Sequence, residues 1–325
     1  ISGSSAGSII AASLATKATG ASLDAFDPEK IYTQGWRIHS IAAMLRRGSV
    51  MDQTQLRRLI AKNMDDLTFQ EAFERSGYAL NITVSPTQVN QNPRLLNYLT
   101  FPHLHIREAV LASSAVPLIF PPVMLMTKDV NGNRIPYMPT LKWVDGSLKS
   151  DLPALRLRRL HNVNHFIVSQ TNPHIIPFVQ DARSRREKST RAFMRDMVLG
   201  TANFEAQQVL KFAKQNIGFE SIKRPLETVQ SMLEQNYRGD VNIVAKLSAR
   251  KYLNTLSNLT PEIIADSIRE GERATWPQLA MIQNQTGISV TLYECLARVQ
   301  AKIAAAGNPS AQVIPLRQPI LRVVR

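Results

Sequence analysis

Cysteine is nearly absent from this sequence: Cys295 is the only one among 325 residues. That rules out an intrachain disulfide framework, supports no zinc site and favours a reducing compartment. Aromatic residues are scarce as well, at 6%. Long apolar runs are missing too. The longest stretch, Ala109 to Met126, is interrupted by Pro117, Pro121 and Pro122, so nothing supplies the roughly 20 uninterrupted residues of a spanning helix. Fixed-period repeats and low-complexity tracts are lacking, which argues against a solenoid or a disordered chain. There is no phosphate-cradling loop, and no signal peptide is visible. Ile1 is not Met, and a motif that belongs inside a fold begins almost at once, so the chain is expected to be a fragment lacking its upstream part.

Acidic charge is in deficit. Lys and Arg number 39 against 25 Asp and Glu, for a net charge of +14 and a pI near 10.1. Such a balance suits an anionic partner. The excess concentrates between Arg183 and Arg195, where Arg183, Arg185, Arg186, Lys188, Arg191 and Arg195 face only Glu187. This segment reads either as a solvated helix face or as a membrane-docking surface. Phe193, Met194, Met197 and Val198, set among or just after the charges, favour docking on a membrane or lipid-droplet surface. No nucleic-acid partner is expected, because no binding motif accompanies the charge.

Helix and strand signals alternate through the first two-thirds. Small residues from Ser8 to Ala15 read as a closely packing helix. Asp52 is placed to cap a helix from Gln53 to about Lys62. Thr68 with Glu71 forms a capping box, and Gly77 closes that short helix. Strands are expected at Tyr78–Val84, His165–Ser169 and Val241–Ala245, and a turn at Asn131-Gly132-Asn133. Thr260-Pro261-Glu262 starts a helix-rich final part. There Leu292, Cys295, Leu296, Val299 and Ile303 recur at helical spacing, which predicts a buried Cys295, and Gly307 is a fitting stop. The alternation predicts an α/β fold with a mainly parallel central sheet. Two domains follow: residues 1–249, and a helical extension over residues 250–325.

Gly3-Ser4-Ser5-Ala6-Gly7 fits the pattern G-x-S-x-G. A serine on a tight strand-to-helix turn has a strained backbone, and small residues two positions either side relieve crowding. The turn projects Oγ from the sheet edge and aims the helix N-terminus, with the Ala6 N–H, at a developing oxyanion. A Gly/Ser-rich turn without chemistry satisfies the same pattern.

A serine nucleophile needs a base. With His39, His103, His105, His161, His165 and His174 present, a triad of Ser5, Asp145 and His161 or His174 is one arrangement. However, His165 opens an apparent strand and His161 lies at an apparent helix end. The other arrangement is direct base action by a carboxylate. Val144-Asp145-Gly146-Ser147 ends a short apolar run, and Gly146 permits a tight turn. Burial there would raise the pKa of Asp145 and make it a better base. Taken alone, the same residues read as an ordinary turn, and Asp151 is a nearby competitor.

Together the segments resemble the patatin-like phospholipases. That family pairs a G-x-S-x-G serine with an Asp-Gly-Gly/Ala/Ser aspartate as a Ser-Asp dyad, and Ser5 and Asp145-Gly146-Ser147 match these in order. Ala112-Ser113-Ser114-Ala115-Val116-Pro117, followed by Phe120-Pro121-Pro122, is similar to the family's Ala-Ser-x-Ala-x-Pro segment. Asn97-Tyr98-Leu99-Thr100, Asn162 to Gln170, Asn172-Pro173-His174 and Gly271 to Pro277 resemble its triacylglycerol-lipase branch, known from yeast lipid droplets, plant seeds and bacteria.

The resemblance implies a three-layer patatin-like fold. It also implies hydrolysis of fatty-acyl esters, triacylglycerol first, with Ser5 and Asp145 catalytic, Gly3, Ala6 and Gly7 forming the elbow and Gly146 turning the dyad. No metal or organic cofactor is implied. The alternatives are a phospholipase or lysophospholipase of the same fold, and a non-catalytic membrane-surface module. The expected location is intracellular, peripheral on a membrane or droplet. The family's Gly-rich oxyanion loop and the branch's N-terminal helical region are absent from these residues, so the fragment alone is expected to be poorly active. The His-x4-Asp acyltransferase motif is not met, since His103 is followed five positions on by Glu108. Apolar residues from Leu118 to Met126 read as core or as an acyl channel.

Overall fold

A computed structural model describes residues 1–17, 26–34, 51–88, 91–117, 119–147, 152–170, 239–245 and 258–305. Strand β1 (Ser2–Gly3) runs straight into helix α1 (Ala6–Ala15), whose small residues Ser8, Ala11, Ala12 and Ala15 are buried. Helix α2 (Gln53–Asn63) starts where Asp52 accepts the Thr54 N–H at 2.9 Å. Helix α3 (Phe69–Ser76) has the expected reciprocal capping box between Thr68 and Glu71. It ends on Gly77 at φ 74°, a left-handed position that suits glycine. At the starts of α2 and α3 a short-range side-chain bond satisfies an orphan N–H group of the first turn, so the sequence signal and the structure coincide there.

Strand β2 (Asn81–Pro86) is the hub of the main sheet and is buried along its whole length. Strand β3 (Arg94–Leu96) runs antiparallel to it, with Ile82 opposite Leu96 and Val84 opposite Arg94. β1 pairs parallel to its start, placing Gly3 opposite Ile82. Strand β6 (Trp143–Asp145) pairs antiparallel to its end, placing Asp145 opposite Val84. A strand has two edges, and β3 occupies one of them at both Ile82 and Val84. β1 and β6 must therefore share the other edge, meeting end to end across the gap opposite Thr83.

The sequence predicts a mainly parallel sheet. The described sheet is mixed, with one parallel and two antiparallel pairings. The cause is the connection between β2 and β3, which spans only residues 87–93. That is too short for the crossover a parallel neighbour requires. Helix alternation in the sequence reports α/β class without reporting this return.

Helix α4 (Ile106–Ser113) packs against β2 and β6 and is buried on most sides, including Ala109, Val110 and Ala112. Strands β4 (Met126–Lys128) and β5 (Arg134–Pro136) form the hairpin expected around Gly132, which adopts φ 82°. Helix α5 (Ala154–His161) precedes the parallel pair β7 (Ile167–Gln170) and β8 (Val241–Val244). The main core gathers Phe69, Leu104, Ile106, Leu125 and Trp143 around β2 and α4. Phe120, Val123 and Leu125 belong to it, so this part of the apolar stretch before Met126 is core.

Helices α6 (Pro261–Thr275) and α7 (Leu279–Ala305), joined by a short 3-10 turn, make up most of the described residues after Thr260. No described helix is long and apolar enough to cross a membrane. Cys295 corrects the sequence reading, because it is exposed rather than buried. Its helical neighbours Leu292, Leu296 and Val299 are exposed as well. Apolar spacing shows which residues share a face, but it does not say whether a partner covers that face. The boundary near Ala249, the basic segment Arg183–Arg195, Asp151, His39, His174 and Gly307 lie outside the described residues.

Candidate active site

Ser5 sits between β1 and α1 with φ 50° and ψ −122°, a conformation that costs a non-glycine residue on the order of 1–3 kcal/mol. The surrounding bonds hold it there. Its carbonyl accepts the Ser8 N–H at 2.9 Å and the Ser8 hydroxyl at 2.6 Å. Its own N–H donates to Ser113 Oγ at 3.0 Å. Gly3 is sterically obligatory, because a Cβ there would lie 2.2 Å from the Gly7 carbonyl oxygen. Gly7 is a correction. A Cβ at that position would meet nothing within 4 Å, since the crowding of the turn falls on Gly3 alone. Ala6 is exposed and is the first residue of the helix, so its N–H has no intrahelical acceptor.

Asp145 reaches the same place from the end of β6, 1% exposed. Its N–H donates to the Ala115 carbonyl at 3.0 Å, and its Oδ1 accepts the Ser147 N–H at 2.8 Å. Burial pushes its pKa up from 3.8 to about 6. Hydrogen bonds from Ser147 and the nearby Ser5 hydroxyl act in the opposite direction and hold the rise in check. The Ser5 side chain therefore lies near enough to the Asp145 carboxyl to lower its pKa. The structure brings together these two residues, 140 positions apart in the chain, because β1 and β6 end head to head on β2. Gly146 makes that approach feasible: a Cβ there would sit 2.4 Å from both the carbonyl carbon and the oxygen of Thr83.

Three of the described histidines are engaged elsewhere. His161 closes α5 as expected, and its Nε2 bonds Asn81 Oδ1 at 2.9 Å. Burial depresses its pKa, with the positive N-terminus adding to the effect. His105 faces Asp66 at 3.2 Å and His165 faces Asp240 at 3.6 Å. Among the described residues, no histidine hydrogen-bonds Ser5 or Asp145. Asn97, fully buried, accepts from Leu99 N, Thr100 N and Thr100 Oγ1 and donates to Asn81 Oδ1. The Asn97-Tyr98-Leu99-Thr100 segment is thus a pinned turn that also orients the partner of His161.

Glu108, almost wholly buried, is bridged by both Arg57 and Arg134. This group lines an open cleft of about 420 Å³ together with Pro122 and Met124. Neither Ser5 nor Asp145 borders that cleft, and the chemistry lies elsewhere. Sequence reasoning misses the roles of Ser113 and Thr83. Ser113 lies in the Ala-Ser-Ser-Ala-Val-Pro segment, but nothing in its spacing says that its hydroxyl meets the elbow.

Fold and site define the class: an α/β protein carrying a serine on a strained strand-to-helix elbow beside a buried carboxylate. Residues 1–158 match the family described as patatin-like phospholipase, and this part of the chain is a patatin-like phospholipase domain. Over most of its length the chain is also similar to named triacylglycerol lipases. It is 34% identical to triacylglycerol lipase SDP1L of Arabidopsis thaliana over 91% of this chain and 38% of that protein. Identity to triacylglycerol lipase ptl3 of Schizosaccharomyces pombe is also 34%, over 81% of this chain and 54% of that protein. Identity to triacylglycerol lipase 4 of Saccharomyces cerevisiae is 33%, over 82% and 30%. The chain therefore spans between about a third and about half the length of these relatives.

Proposed function

We propose that this chain carries the catalytic site of a serine lipid acyl hydrolase in which Ser5 is the nucleophile and Asp145 its base. The observation that carries the proposal is the meeting of the Ser5 elbow with the buried Asp145 carboxyl where β1 and β6 end head to head on β2, with burial raising the carboxyl's pKa to about 6. A value so far above that of an ordinary carboxylate makes a stronger base, still mostly ionised at neutral pH. Asp145 takes the Ser5 proton as Oγ bonds to the ester carbonyl carbon. The carbonyl electrons move to oxygen, where the Ala6 N–H donates to the oxyanion. Collapse expels the alcohol, which takes the proton back from Asp145, and leaves an acyl-Ser5 ester. Asp145 then activates water in the same way, and the fatty acid leaves. The Ser5 N–H is committed to Ser113 and is not an oxyanion donor.

The relatives' names support triacylglycerol as substrate, while the family description favours phospholipid as the second reading. The proposal includes an intracellular, peripheral location on a membrane or lipid droplet, with the basic segment Arg183–Arg195 as the docking surface. Two assays test it on the protein expressed in full. Fluorophosphonate labelling is expected in the wild type and lost in Ser5→Ala. Absence of labelling altogether would favour a non-catalytic lipid-surface module. Triolein emulsion is expected to be hydrolysed faster than phosphatidylcholine vesicles, and the reverse order would make the protein a phospholipase.

A further inference from the structure

We infer that Ser113 is a positioning residue for this reaction: a single hydroxyl that locks the strained nucleophile turn onto β2, the strand with which the carboxylate's own strand β6 pairs. The inference rests on the Ser5–Asp145 reading above. Ser113 is the last residue of α4 and is fully buried. A hydroxyl has one proton, and a carbonyl can only accept, so the bond to Thr83 O at 2.8 Å uses the Ser113 proton. The oxygen's lone pair then receives the Ser5 N–H at 3.0 Å. The donor and acceptor roles of Ser113 are fixed by its surroundings, and both partners are backbone.

The neighbouring residues extend the clamp. The Ser114 hydroxyl reaches the Ser5 carbonyl at 3.4 Å, and the Ala115 carbonyl accepts the Asp145 N–H at 3.0 Å. Thr83, the acceptor for Ser113, is the residue against which Gly146 packs. Three consecutive residues thus hold both reacting groups to one point on β2. A positive-φ serine persists only where its surroundings over-determine it. Removing the Ser113 hydroxyl leaves the Ser5 N–H and the Thr83 carbonyl without this partner. The elbow is then free to relax toward an ordinary φ, carrying Oγ away from Asp145. Substrate makes no contact through Ser113, so the loss falls on kcat.

The test uses the protein expressed in full, a water-soluble short-chain ester, and a temperature at which circular dichroism shows every variant folded. Ser113→Ala is expected to lower kcat about 10- to 100-fold, as a small misplacement of a reacting atom does, with KM nearly unchanged. The rate of Ser5 labelling by a fluorophosphonate falls by the same factor. Ser113→Thr keeps the hydroxyl and restores most of the rate. Thr68→Ala removes a comparable buried hydroxyl at the head of α3; it lowers Tm but leaves kcat and labelling unchanged. If Ser113→Ala does not fold, Ser113→Cys, similar in size but a weaker hydrogen-bonding group, is expected to show a partial loss. Wild-type kcat in whichever of these two variants folds, or an equal loss in Thr68→Ala, would overturn the inference. Ser5→Ala separates the levels. Retained hydrolysis there removes the Ser5 reading and this inference with it. An inactive Ser5→Ala beside a fully active Ser113→Ala removes this inference alone.

Discussion

Asp145→Asn is expected to lower kcat by about 10³-fold or more and, at pH 8, to give a protein that melts at a higher temperature than the wild type. The geometry is kept, since the amide oxygen can still accept the Ser147 N–H that Oδ1 accepts at 2.8 Å. What is lost is the capacity to take a proton from Ser5. The stability effect follows from the raised pKa. A carboxyl at about 6 in the folded protein against 3.8 when unfolded binds its proton more tightly in the folded state. Its favourable contribution is complete below pH 3.8 and disappears as pH rises through about 6. Above that, burying the charge costs the fold about 3 kcal/mol, because each tenfold change in proton affinity is worth roughly 1.4 kcal/mol. A neutral amide escapes this cost. Thermal melts of both proteins at pH 4.5 and pH 8 check it: the gap favouring Asn opens with rising pH, on the order of 5 °C at the upper value. Equal melting behaviour at pH 8 would contradict the burial argument, and retained kcat would contradict the role of Asp145.

The second large effect is expected at Gly146. In Gly146→Ala the new methyl falls 2.4 Å from the Thr83 carbonyl group and 2.7 Å from Val84 N. These are backbone atoms of β2, which is tied to β1, β3 and β6 and cannot give way without shifting the sheet. A loss of about 3 kcal/mol or more is expected, the upper end for overpacking, together with activity, because the displaced atoms separate Asp145 from Ser5. Gly7→Ala is the internal contrast. Its methyl meets nothing within 4 Å, and the helix position favours alanine over glycine by about 1 kcal/mol. Urea denaturation of the two variants is therefore expected to move in opposite directions from the wild type. A Gly146→Ala protein as stable as the wild type would mean that β6 does not approach Thr83 this closely.

Local signals in the sequence reach as far as local bonds do. The capping box at Thr68 and Glu71, the cap at Asp52, the turn at Gly132 and the helix start at Pro261 are made by residues within a few positions of one another. Each is where the pattern places it. The turns that hold Ser5 and Asp145 are legible for a different reason: each lies in a short motif whose glycine answers a steric demand, at Gly3 and Gly146. What is not legible depends on distant partners. Strand direction in the main sheet is set by a short return between β2 and β3, which apolar patterning does not register. Periodicity wrongly buries Cys295 because it identifies a face but not its cover. Ser113 and Thr83 are invisible for the same reason, since their roles exist only once α4, β2 and the elbow meet.

The most direct measurement of the central claim is the pH dependence of Ser5 labelling by a fluorophosphonate in three proteins: wild type, Asp145→Asn and His161→Ala. A single ionisation with a midpoint near pH 6 is expected in the wild type, preserved in His161→Ala and abolished with the rate itself in Asp145→Asn. A midpoint that survives Asp145→Asn, or that vanishes in His161→Ala, would show that another group removes the Ser5 proton.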